Sequence, residues 1–88
     1  MSNQLNKIAI FQAGYGVFGV GRNLDEAKEL ANLWVDGDLP EVKNAAHCEQ
    51  VDGKFYFCEI IDELANKVES EGGDVAYDIV DGVMVNYE

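Results

Sequence analysis

The stretch GYGVFGVG, Gly14 to Gly21, decides how the rest of the chain is read. Gly14, Gly16 and Gly19 satisfy G-x-G-x-x-G, with IAIF (8–11) before them and NLDEAKEL (23–30) after them. Strand, glycine loop and helix in that order is the setting in which such glycines cradle a nucleotide phosphate. A phosphate site needs the helix to open within the motif, so that its first amides face the anion. Here Val17, Phe18 and Val20 extend a strand pattern, and the helix signal begins only at Asn23. Nucleotide binding at 14–21 is therefore kept only as a minor alternative reading. The glycines read instead as structural: Gly14 and Gly16 for a tight turn, Gly19 and Gly21 for a bulge or a close helix approach.

The same residues, with Phe18, resemble the glycine-rich lid of a kinase, but Gly21 stands where that motif has valine. Nor do 88 residues hold a kinase fold. Only Arg22 and Lys28 are near enough to meet a phosphate, and the acids some twenty positions on, Asp36 and Asp38, are two among many.

Outward from this segment, Lys7–Gln12 and Tyr15–Val20 read as two strands joined by the glycine turn. Asn23 is an N-cap with Glu26 three residues later. A helix follows from Leu24 to Val35, its face formed by Ala27, Leu30, Ala31 and Trp34 at i, i+3, i+4, i+7. Trp34 is expected to be the largest helical contribution to the core. Gly37 and Pro40 end the helix. Residues 46–60 read as a hairpin turning at Asp52-Gly53. A second helix spans IIDELANKVESEGG, with Leu64, Ala65 and Val68 on its apolar face and Gly72-Gly73 as its stop. Residues 74–88 form a last hairpin turning at Asp81-Gly82. The expected fold is α+β: a single domain over 1–88 with an antiparallel or mixed sheet of four to six strands. Two helices pack on one face, in the order ββαββαββ.

Seventeen acids face six bases, a net charge of −11, and 48% of residues are apolar. That apolar share suits a folded domain. The charge disfavours direct contact with nucleic acid or anionic membranes and favours basic protein surfaces. No stretch has the roughly 18 apolar residues of a membrane span. The start MSNQLNK is not patterned as a signal peptide, and two cysteines read as free thiols, so the expected setting is cytoplasmic.

Candidate chemistry is sparse. With the Asp52-Gly53 turn as two residues, Cys48 would oppose Phe57 and His47 would oppose Cys58. The two thiols then point to opposite faces, against a disulfide or a shared zinc. A His47–Cys58 dyad would lack oxyanion donors. DGDLPE (36–41) offers Asp36, Asp38 and Glu41 but not a complete calcium loop. No catalytic residue, metal or cofactor is expected.

Two surfaces are candidates for a partner. From residue 59 onward nine acids face the single base Lys67, which gives −8 of the total. Glu59, Asp62, Glu63, Glu69, Glu71, Asp74, Asp78 and Asp81 form this candidate acidic surface. It would suit an inhibitor or DNA mimic that occupies a basic nucleic-acid groove of another protein. The last hairpin is apolar on both sides, and Tyr77, Met84, Val85 and Tyr87 are its candidate contacts for a partner or a homodimer. The opening, two strands around glycines followed by NLDEAKELA, is similar in kind to the start of HicB-type antitoxins. The alternative reading is accordingly an antitoxin-like or regulatory module that dimerises through the C-terminal hairpin. The size and acidity are also similar in character to phage-encoded nuclease inhibitors. No residue role carries over from either likeness.

Overall fold

Two strands, β1 (Lys7–Gln12) and β4 (Phe55–Ile60), are apolar on both faces, and this sets the architecture. The structure is a computed structural model that describes residues 7–35, 37, 39 and 41–87. Along β1, Ala9 and Phe11 join one buried cluster, while Ile8 and Ile10 join another. Along β4, Tyr56, Cys58 and Ile60 go to the first cluster, Phe55 and Phe57 to the second. A strand with two apolar faces needs cover on both. Helix α2 (Asp62–Glu71) supplies Leu64 and Ala65 to the first cluster. Helix α1 (Leu24–Asn32) supplies Ala27 and Ala31 to the second.

The two helices therefore lie on opposite faces of the sheet, which corrects the expectation of both on one face. The alternation of β1 and β4 carries the reason. IAIF and FYFC have no polar side to leave in water.

The elements run β1, β2 (Val17–Gly21), α1, β3 (Lys43–Asn44), β4, α2, β5 (Tyr77–Val80) and β6 (Val83–Asn86). The sheet order is β2-β1-β4-β6-β5, with the two-residue β3 also paired to β4. Strand β1 is antiparallel to β2 and β4, and β5 is antiparallel to β6. Strand β4 is parallel to β3 and to β6. The fold is thus a small single α+β domain with a mixed six-stranded sheet and two helices. Its radius of gyration, 11.9 Å, matches the roughly 12 Å of a compact domain of this length.

The hairpin expected over 46–60 does not form. Of its two turn residues only Gly53 has a positive φ, +85°, whereas a type I′ turn needs both. Lys54 N–H still donates to Val51 O (3.0 Å), closing the turn, but the flanking chain splays apart. Residues 45–47 form a short 3-10 turn capped by the Asn44 side chain, which accepts from Ala46 N–H at 2.9 Å. Strand β4 pairs with β1 instead, and the turn docks there: Ala13 N–H donates to Lys54 O and Gly53 N–H to Ala13 O. The Tyr56 hydroxyl fastens the loop, accepting from Val51 N–H and donating to Glu49 O, both at 2.8 Å.

The last hairpin has the expected turn. Asp81 and Gly82 both take positive φ (+54° and +77°), and Val80 pairs with Val83. Strand β2 bulges at Phe18, because Ile10 pairs with Gly19 while Phe11 pairs with Val17. The expected helix stop at Pro40 lies outside the described residues.

Candidate binding groove at the β2 edge

The glycine-rich segment forms an edge of the sheet, and the two helices flank that edge. Asn23 Oδ1 accepts from Glu26 N–H at 2.9 Å and starts α1 directly after β2. The Arg22 backbone N–H and guanidinium both bond the Glu26 carboxylate, holding its pKa below the usual carboxylate range. The helix then lies down on Gly19 and Gly21. A Cβ on Gly19 would meet Ala27 O and, at 2.7 Å, Ala31 N. On Gly21 it would stand 2.6 Å from Ala27 N. Backbone meets backbone here, so only alanines fit between helix and strand.

That close approach also displaces the tryptophan. Helix α1 ends at Asn32, and Trp34 N–H and Val35 N–H both donate to Ala31 O in a terminal turn. Trp34 is 73% exposed and Leu33 76%. The expected core position of Trp34 is corrected: the core side of α1 has room for alanine, not indole.

A groove of about 700 Å³ runs along the outer edge of β2. Phe18, Leu30 and Trp34 line it on the α1 side, Val68 and Glu69 on the α2 side. Tyr15, 70% exposed, lines it as well. The loop after α2 lines the groove at Gly72, Gly73 and Asp74, and Val17 N–H donates to Gly73 O at 3.1 Å. Among the described residues, the lining contains two carboxylates, Glu69 and Asp74, and neither lysine nor arginine. A phosphate placed among these glycines would meet like charge, which weighs further against the nucleotide reading. Glu69 has a partial counter-charge in Lys7, 3.6 Å away.

All eight residues of the expected acidic surface are exposed, but they do not form one patch. Glu69, Glu71 and Asp74 sit at the C-terminal end of α2, beside the groove. Asp62 and Glu63 occupy its first turn. Asp78 and Asp81 lie on β5 and its turn, at the opposite edge of the sheet from β2. Glu59 is exposed on β4.

The apolar hairpin divides in the same way. Met84 is fully buried, and Tyr77 packs edge-on against Phe11 at 5.7 Å. These two belong to the core, where burial also pushes the Tyr77 phenol pKa up. Val85 is half-buried, and Tyr87 is exposed. The groove itself was not foreseen. Its signal in the sequence was a helix face, Leu30 and Trp34, opposite glycines that leave no depth for it.

The His47–Cys58 arrangement is corrected as well. His47 is exposed in the 3-10 turn, and Cys58 is buried in the first cluster, because β1 and not residues 47–51 pairs with β4. Burial pushes the Cys58 thiol up to about 12 from an ordinary 9.0; a hydrogen bond with the Met84 backbone opposes this, and the Glu59 charge adds to it. The unfolded chain loses this proton first. The thiol's contribution is therefore complete below pH 9 and is lost as pH rises toward 12, at up to about 1.4 kcal/mol per pH unit. Urea midpoints should fall above pH 9 more steeply for the wild type than for Cys58→Ala. Parallel curves would contradict the buried thiol.

Among the described residues no group of three or more His, Cys, Asp or Glu is placed to hold a metal; Asp36 and Asp38 lie outside them. No helix among them is long and apolar enough to cross a membrane. Comparison with family models, curated proteins and solved structures returns no match to this chain.

Proposed function

We propose that the protein is a non-enzymatic, cytoplasmic interaction module that binds a basic surface of another protein, in the manner of an inhibitor or nucleic-acid mimic. One observation carries the reading: Tyr15, Leu30 and Trp34 line an open groove in which, among the described residues, the charged lining side chains are acids. Exposed aromatic residues grouped in a groove are the usual anchors of protein interfaces, and a carboxylate rim selects basic partners. Direct contact with nucleic acid or a membrane is disfavoured by the net charge of −11.

The placement of the acids adds support. Glu69 and Glu71 sit in the last turn of α2, which has no basic residue. Carboxylates there oppose the helix dipole. Glu71→Lys should therefore raise stability by about 0.5 kcal/mol, a few degrees in Tm. The same change should weaken partner retention. Capture from lysate of the source cell, at low and high salt, tests both points. A basic partner held by the wild type at low salt, lost at high salt and poorly held by Glu71→Lys is expected. Recovery of only the protein itself, or of a partner indifferent to salt, contradicts the reading.

A second reading is a regulatory module that dimerises through β5 and β6. Strand β5 is the other edge of the sheet, and Tyr87 beside it is 64% exposed. It requires a mass that rises with protein concentration and changes little with salt.

A further inference from the structure

We propose that the partner enters the groove as an extended strand that pairs with the outer edge of β2, and that this strand alternates apolar and basic residues. The inference rests on the proposed function and specifies how the partner is held.

Strand β2 ends the sheet, and among the described residues no strand lies beyond it. Edge strands of this kind present backbone donors and acceptors to any extended chain. One such bond is already made from outside the sheet, Val17 N–H to Gly73 O. From Phe18 to Val20 the edge continues along the groove.

The walls then dictate the side chains. An added strand lies about 4.8 Å from β2, and its residues point alternately to the two faces of the sheet. One face is the α1 side, where Phe18, Leu30 and Trp34 are apolar. The other is the α2 side, where Val68 is followed by Glu69 and Asp74. A period of two, apolar toward α1 and basic toward α2, satisfies both walls. A second copy does not. Its two edge strands, VFGVG and YDIV, carry no base: pairing through β2 would bring a second pair of Glu69 and Asp74 into the same groove, and pairing through β5 would bring Asp78.

The test is an NMR titration of the full chain, labelled with ¹⁵N, with a capped eight-residue peptide alternating leucine and lysine. Amides of Phe18–Gly21 should shift, and their hydrogen exchange should slow. N-methylation of the peptide amides that face β2 should weaken binding about tenfold or more, since it removes the hydrogen bonds that pair the strands. Replacing the lysines with glutamates should abolish binding. Trp34→Ala, which alters an exposed residue, should weaken binding without unfolding the protein. Shifts confined to the acids of β5 and the start of α2, or equal affinity for the N-methylated peptide, would overturn strand pairing. So would β2 shifts that follow protein concentration alone, which would name a second copy as the occupant. If the peptide fails while salt-dependent capture of a basic partner persists, the strand inference falls alone. If capture fails too, the proposed function falls with it.

Discussion

Phe11→Ala is expected to cost about 4 kcal/mol of folding stability, the largest single effect in the molecule. Phe11 is fully buried at the centre of the cluster between the sheet and α2. Its ring lies 5.9 Å from Tyr56 and 5.7 Å, edge-on, from Tyr77. It therefore joins β1 to β4 and to the far hairpin. Truncation leaves a cavity bounded by strands that are held by their own ladders and cannot collapse inward. Domains of this size have only about 5–15 kcal/mol in total, so the variant should be near the limit of folding. The shift in urea midpoint, with the slope unchanged, measures the loss. A loss below about 1 kcal/mol would mean that the three rings do not share one core.

Gly19→Ala should cost about 3 kcal/mol through the opposite mechanism, overpacking. The added methyl has no flexible side chain to push aside. It meets the Ala27 carbonyl and the Ala31 amide, both backbone, so α1 must lift from the sheet. Gly53→Ala is the informative comparison. Nothing lies within 4 Å of that position, but its φ is +85°. The cost there is conformational, about 1 kcal/mol. A glycine kept for contact and a glycine kept for backbone shape thus separate by about 2 kcal/mol, or some 10 °C in Tm. Equal losses would contradict the close packing of α1 on β2.

Local signals in the sequence carried most of the elements. Strand β1, the Asn23 cap, the stop at Gly72 and the Asp81-Gly82 turn all follow from a few neighbouring residues, and each is present. Asp52-Gly53 has the same local signal and fails, because a turn pair fixes a hairpin only if the chain before it is free to pair with the chain after it. Strand β4 pairs with β1 instead.

Placement of the helices was legible in principle. The two-sided apolar character of IAIF and FYFC already required cover on both faces. The candidate site was legible only in its parts. The glycines, the Leu30–Trp34 face and the acids of 69–74 are all visible in the chain, but their convergence depends on β2 being an edge with a helix on either side of it. Sheet order is set by contacts distant in sequence, which no local pattern encodes.

If the groove is the partner's site, Leu30 and Trp34 are exposed for that partner and not for the fold. The double variant Leu30→Asp/Trp34→Asp tests this most directly, by thermal unfolding and by capture of the salt-sensitive partner. Leu30 is 41% exposed and Trp34 73%, so the Tm should fall by no more than a few degrees while capture is lost. An unfolded variant would show that these side chains belong to the core. A folded variant that still captures the partner would show that the groove is not where the partner binds.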